Sequence, residues 1–165
     1  MFNFPAPCFE KKIIHPSNLD STLAAIKRPL VFTNGCFDIL HRGHVSYLAQ
    51  AKSLGQSLCV ALNTDASVKR LGKGDERPIN CLENRLAVVA ALESVDFVTW
   101  FDEDTPFNLI EQIKPEILVK GGDWLPENIV GAKETLERQG KVFSIPFLHQ
   151  TSTTSLVEKI RQTDT

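Results

Sequence analysis

The residues best equipped for chemistry stand in one short stretch, Thr33-Asn34-Gly35-Cys36-Phe37-Asp38-Ile39-Leu40-His41-Arg42-Gly43-His44. His41 and His44, at i and i+3, project to one side of a helix that begins here. A helix N-terminus presents unpaired backbone N–H groups and the positive end of its dipole, and so draws phosphate. Gly43 would let a phosphate approach the backbone closely. The two imidazoles could then donate hydrogen bonds to phosphate oxygens as charge develops in a transition state. The same spacing would serve a structural pair or two metal ligands, but His-x-x-His without a third nearby ligand is weak support for a metal. No residue is assigned to a metal.

Other polar groups also follow apolar runs. Asn63-Thr64-Asp65 can cap the short segment from Ser67 to Arg70 or place polar side chains near a ligand. Lys69, Arg70, Lys73 and Arg77, interrupted by glycines, form either a solvated loop or a basic one that meets an anion. Arg85 can pair with a neighbouring carboxylate. Lys120-Gly121-Gly122-Asp123-Trp124 can be a tight turn, or it can make room beside the backbone for a flat ligand. There Lys120 can point at phosphate, and Trp124 can flank the ligand or seal the core. Thr151-Ser152-Thr153-Thr154-Ser155 begins a helix, where hydroxyls cap the backbone and can cradle a second phosphate.

The elements that must position these residues alternate. Continuous apolar runs at Leu30–Thr33, Leu58–Leu62, Val95–Trp100, Glu116–Val119 and Val142–Ile145 read as strands. Amphipathic runs at Val45–Leu54, Leu82–Leu92, Phe107–Ile113, Lys133–Gln139 and Thr153–Arg161 read as helices between and after them. The expected fold is a single α/β domain, a Rossmann-like doubly wound parallel five-stranded sheet with helices on both faces. Ligands should bind beyond the carboxyl ends of its strands. Residues 1–28 read as an approach segment carrying a short helix after Ser17, and residues 29–165 as the domain itself.

His41-Arg42-Gly43-His44 resembles the HxGH signature of the nucleotidyltransferase superfamily that includes cytidylyltransferases and class I tRNA synthetases. The strings TNGCFDILHRGHVSYLAQAKSLG, NTDASVKRLGKGDERPIN, LVKGGDW and STTSLV, in this order, resemble more narrowly the adenylyltransferases of D-glycero-β-D-manno-heptose 1-phosphate. The likeness runs from about Pro29 to Arg161. It implies transfer of AMP from ATP to that sugar phosphate, giving ADP-heptose, a lipopolysaccharide precursor, and pyrophosphate. It implies catalytic roles for His41, His44 and Lys73, the last on a mobile basic loop that closes over the triphosphate. Nucleotide contacts are implied for Gly35, Cys36, Phe37, Gly43, Arg85, Lys120, Gly121, Gly122, Asp123, Trp124, Ser152, Thr153 and Thr154. Sugar-phosphate contacts are implied for Asn34, Asp38, Asn63 and Asp65. Mg²⁺ is expected to arrive with ATP. A homodimer and a separate heptose 7-phosphate kinase are implied as partners. Glycerol-3-phosphate cytidylyltransferases carry an Arg shortly before the hydroxyl run, where this chain has Pro146-Phe147-Leu148-His149-Gln150. That departure disfavours the runner-up, a CTP-dependent enzyme for a polyol phosphate.

The composition is compatible with this reading. At 165 residues, 42% apolar and 23% charged, the chain can bury one core. A net charge of −2 argues against a nucleic-acid binder. The four cysteines form no CxxC pair and suit reduced thiols in a cytoplasmic protein. No leader and no apolar run of about 18 residues is evident, so no membrane association is expected. From another class, a nucleotide-binding regulatory module without turnover would show the same motifs.

Overall fold

The computed structural model describes residues 4–72, 74, 76–149 and 152–162. Strands β1 (Leu30–Gly35), β2 (Ser57–Asn63), β3 (Phe97–Phe101), β4 (Ile117–Gly121) and β5 (Lys141–Ile145) form one parallel sheet in the order β3-β2-β1-β4-β5. The helices are α1 (Leu19–Ala25), α2 (Arg42–Lys52), α3 (Asp65–Arg70), α4 (Leu82–Ala90), α5 (Phe107–Ile113), α6 (Ala132–Glu137) and α7 (Thr153–Gln162).

Period-two alternation in the central strands divides the core. Val31, Leu58, Val60, Leu62 and Val98 face α2 and α4, meeting Leu48, Ala51, Leu86 and Val89. Leu30, Phe32, Cys59, Ala61 and Phe97 face the opposite side, where Leu19 of α1, Ile110 and Ile113 of α5 and Ala132 of α6 pack. The central strands are therefore apolar on both faces because each face carries its own helical layer. This is the doubly wound arrangement expected from the alternating pattern.

The sheet also has the feature that localises ligands in such folds. The chain winds from β1 outward through β2 to β3, then crosses to β4 on the other side of β1. Loops after β1 and β4 thus diverge and leave a crevice at the carboxyl edge. Lys120, at the end of β4, bridges that crevice: its Nζ donates to the Asn34 carbonyl at 3.3 Å and to Asn34 Oδ1 at 3.1 Å.

One element differs from its expected bounds in a way that matters. Helix α2 starts at Arg42 rather than Val45, because His41 takes extended backbone (φ −141°, ψ 171°) as the N-cap. The approach segment is tied to the sheet. Residues Cys8–Lys12 form a 3-10 turn, Ile13 bridges Val98, and the Ile14 amide donates to the Val98 carbonyl at 2.8 Å. This segment covers the outer edge of β3, a strand that would otherwise expose its unpaired backbone groups.

Candidate active site

Glycines and aromatic rings organise the stretch after β1. Phe37 sits at φ +46°, in the left-handed region that ordinary side chains avoid. Its ring turns back over Gly35, where an added Cβ would lie 3.0 Å from Phe37 Cε2. The same ring meets His44 with centroids 5.2 Å apart at 60°. His44 in turn stacks on His41, with centroids 3.9 Å apart and planes at 27°. Gly43 completes the set, since a Cβ there would come within 3.0 Å of the His41 ring. The glycine expected to admit phosphate instead makes room for an imidazole, and it does not line the cleft.

The stacked pair stands at an unshielded helix end. His41 caps α2 without a side-chain hydrogen bond to the first turn, so the N-terminal N–H groups are not masked by it. The Nδ1 atoms of both rings are buried without a hydrogen-bond partner among the described residues. Such orphaned nitrogens favour a ligand that can hydrogen-bond with them. Burial pushes the His44 pKa down to about 4, and the neighbouring His41 adds to the shift. Burial also lowers His41. Both imidazoles are therefore neutral at pH 7, each with one N–H to donate.

Around them opens a cleft of about 840 Å³ at the carboxyl edge of the sheet. It brings together Asn34, Gly35, Cys36, Phe37 and Asp38 after β1, Asn63 after β2, and Lys120, Gly121 and Trp124 after β4. Ser152, Thr153 and Thr154, at the start of α7, close the opposite wall. The two regions expected to cradle phosphate thus face one space. Ser152 is also a cap, as its Oγ accepts from the Ser155 amide at 3.1 Å. The Thr153 hydroxyl reaches the Ile39 carbonyl at 3.3 Å, tying α7 to the loop before α2.

Other expected residues lie elsewhere. Arg85 has a fully buried side chain that does not line the cleft. It donates to the Asn80 carbonyl at 2.9 Å, the Cys36 carbonyl at 2.8 Å and Asp65 Oδ1 at 2.6 Å. Asp65, expected at the sugar, is its ion-pair partner, and neither residue lines the cleft. Asp38 borders the cleft, but its carboxylate accepts from the amides of Ile79 and Asn80 and pairs with Arg77 at 2.6 Å. The structure uses it to anchor the end of the basic loop. Gly122 and Asp123 lie in the turn after β4, outside the cleft lining. Thr64, rather than Asp65, caps α3, its hydroxyl accepting from the Ser67 amide at 3.1 Å. Lys73 lies outside the described residues.

Of the loop cations, Arg77 lines the cleft, while reading the motifs missed another part of the lining: Tyr47 and Leu71, the Asp104–Pro106 stretch after β3, residues 128–130, and Phe147 after β5. The rule that residues beyond strand ends face the ligand, applied to β3 and β5 as it was to β1, β2 and β4, would have found two of these groups. Among the described residues no three His, Cys, Asp or Glu side chains cluster as a metal site. No helix among them is long and apolar enough to cross a membrane.

Comparison with known proteins accords with this geometry. Residues 32–159 match the cytidylyltransferase-like family. The chain is 51% identical over 156 residues to the D-beta-D-heptose 1-phosphate adenylyltransferase of Bordetella bronchiseptica, spanning 93% of this chain and 96% of that one. It is 58% identical over 133 residues to the bifunctional protein HldE of Hahella chejuensis, spanning 81% of this chain but only 28% of that protein. The lipopolysaccharide core biosynthesis protein from Thermoplasma volcanium GSS1 shares the fold with a TM-score of 0.59 and 28% identity, over 74% of this chain and 98% of that one. The stacked histidines, the helix end beneath them and the facing hydroxyl run thus occur in a nucleotidyltransferase, and the chain belongs to the cytidylyltransferase-like family.

Proposed function

We propose that the protein transfers AMP from ATP to D-glycero-β-D-manno-heptose 1-phosphate, forming ADP-heptose and pyrophosphate. The observation that carries the reading is the stacked His41–His44 pair at the unshielded end of α2, opposite Thr153 and Thr154. The near full-length likeness to the Bordetella enzyme supports the choice of substrates.

The chemistry requires no enzyme nucleophile. A sugar phosphate is largely ionised at neutral pH, its second pKa being about 6. Its oxygen attacks the α-phosphorus of ATP, the bond to the β-phosphate oxygen breaks, and pyrophosphate leaves. Catalysis is then positioning and stabilisation of charge. His41 and His44 donate to the reacting phosphates, the N–H groups of α2 add their dipole, and the hydroxyls of α7 hold the far end. The low pKa of His44 keeps it neutral until the triphosphate arrives, whose charge then favours a proton on the imidazole. Lys73 would neutralise the departing pyrophosphate. Mg²⁺ would come in on the triphosphate, bound largely through phosphates and waters. A separate heptose 7-phosphate kinase would have to act earlier in the sequence.

Pyrophosphate release tests this, with ATP or CTP offered against heptose 1-phosphate and glycerol 3-phosphate. Release is expected with ATP plus heptose phosphate. His44→Ala should slow it by about 10²–10³, the usual cost of one transition-state donor. Release with CTP and glycerol phosphate would overturn the substrate assignment, and nucleotide binding without any turnover would favour a regulatory module.

A further inference from the structure

The cleft straddles the carboxyl edge of the sheet, and its two walls come from opposite helical layers. We propose, on the adenylyl-transfer reading above, that the wall on the α5 side takes the sugar of the acceptor, with Thr105 and Asn128 as the residues that contact its hydroxyls.

The stacked histidines belong to the α2 side, where Tyr47, Leu48 and Ala51 pack that helix on one face of the sheet. Helices α5 and α6 cover the other face through Ile110, Ile113 and Ala132. The loops that lead into these two helices, Asp104–Pro106 and residues 128–130, line the cleft from that face. In a displacement at phosphorus the attacking and leaving oxygens stand roughly in line, on opposite sides of the reacting atom. Pyrophosphate departing between α2 and α7 therefore leaves the α5 side for the attacking sugar phosphate.

Packing fixes the backbone of both loops. Gly131, at φ +82°, lies so close to α5 that an added Cβ would meet Ile110 Cγ2 at 2.9 Å. Ile129 and Pro106 are buried, one in each loop. Asn63 Nδ2 donates to Ser67 Oγ at 2.9 Å, and that hydroxyl donates to the Glu103 carbonyl at 2.8 Å, which holds the loop after β3 against the end of β2. Asp104 is paired with Arg70 at 2.7 Å, so its charge is balanced before an anion arrives. Thr105 and Asn128 are different. Both are exposed in the cleft lining, and their side-chain polar atoms have no hydrogen-bond partner among the described residues. A hydroxyl and a carboxamide between them donate and accept, as the hydroxyls of a pyranose do. Val130, exposed beside them, offers an apolar surface to the C–H face of the ring.

Steady-state pyrophosphate release by the full chain reads the two substrates separately. Thr105→Val keeps the shape and removes the hydroxyl, and Asn128→Leu does the same for the carboxamide. Each should raise the KM for heptose 1-phosphate by about five- to tenfold, as the loss of one hydrogen bond implies, and leave kcat and the KM for ATP within about twofold. Thr105→Ser, which keeps the hydroxyl, should behave as the wild type does. An unchanged KM for the sugar phosphate in both variants, or an equal rise for ATP and sugar phosphate, would overturn the assignment and leave the transfer reaction standing. If the intact chain releases no pyrophosphate from ATP and heptose 1-phosphate, the functional reading fails and the assignment with it.

Discussion

Single residues in this site act through their neighbours. Gly35 clears space for Phe37, Phe37 backs His44, His44 stacks on His41, and Gly43 leaves room for His41. The motif is therefore a packing chain as much as a list of ligands, and its stacked imidazoles resist protonation. His44 titrates near 6.5 in an unfolded chain but near 4 here. Between those values the unfolded state binds more protons, so the contribution is fully present above about pH 6.5 and is lost as pH falls toward 4. Urea unfolding of the ligand-free protein should show this slope, with a loss of roughly 3 kcal/mol across the window. His44→Asn should flatten it. An unchanged slope in that variant would mean that the pair is not the titrating element. Triphosphate reverses the preference by stabilising the charged ring, so ATP should take up protons on binding in the same window.

At the scale of elements, charged side chains tie loops to strand ends. Arg85 shows why a residue's role can be misread from its place in a motif. The sequence offers a cation at the start of a helix near a phosphate-binding loop, and either partner was possible. In the fold its guanidinium joins Cys36 after β1, Asp65 after β2 and Asn80 at the end of the basic loop. Such a contact between residues distant in sequence leaves no local periodic trace. Asp38 does the same for Ile79, Asn80 and Arg77. Removing a buried charge that satisfies three acceptors leaves those acceptors without partners. Arg85→Ala should therefore cost about 3 kcal/mol in chemical denaturation. A cost under about 0.5 kcal/mol, typical of a surface change, would return Arg85 to the ligand. By contrast, the Arg161–Glu76 pair between α7 and the loop is exposed on both sides, and its loss should barely alter stability.

For the whole molecule, the layering of the sheet was legible to the extent that burial is legible. Runs such as Leu58–Leu62 are apolar on both faces because the sheet has helices on both, and that pattern needs no tertiary information. The HxGH stretch and the hydroxyl run were legible because backbone chemistry at helix starts is local. Phe147 was not, since its place in the lining depends on a glycine 26 positions earlier across two strands. Nor was the first segment, whose prolines suggest an irregular arm but whose contacts are long-range. Lys12 Nζ donates to the carbonyls of Leu92 at 3.1 Å and Val95 at 2.8 Å, Ile13 and Ile14 pair with Val98, and His15 packs edge-on against Trp100 at 5.1 Å. Phe9 and Ile13 pack on one core and Ile14 on the other. A chain lacking residues 1–15 would lose the partly buried side chains of Phe9, Ile13 and Ile14 and uncover the edge of β3. Its melting temperature should fall by about 10 °C, as a loss of 3–4 kcal/mol implies for a domain of this size. Light scattering should rise on warming as bare edges pair between molecules. None of these residues lines the cleft, so ATP affinity measured in the cold should match that of the full chain. A truncated chain that melts with the intact protein would make the segment an appendage. One that stays folded but no longer binds ATP would mean that the edge of β3 supports the site from behind.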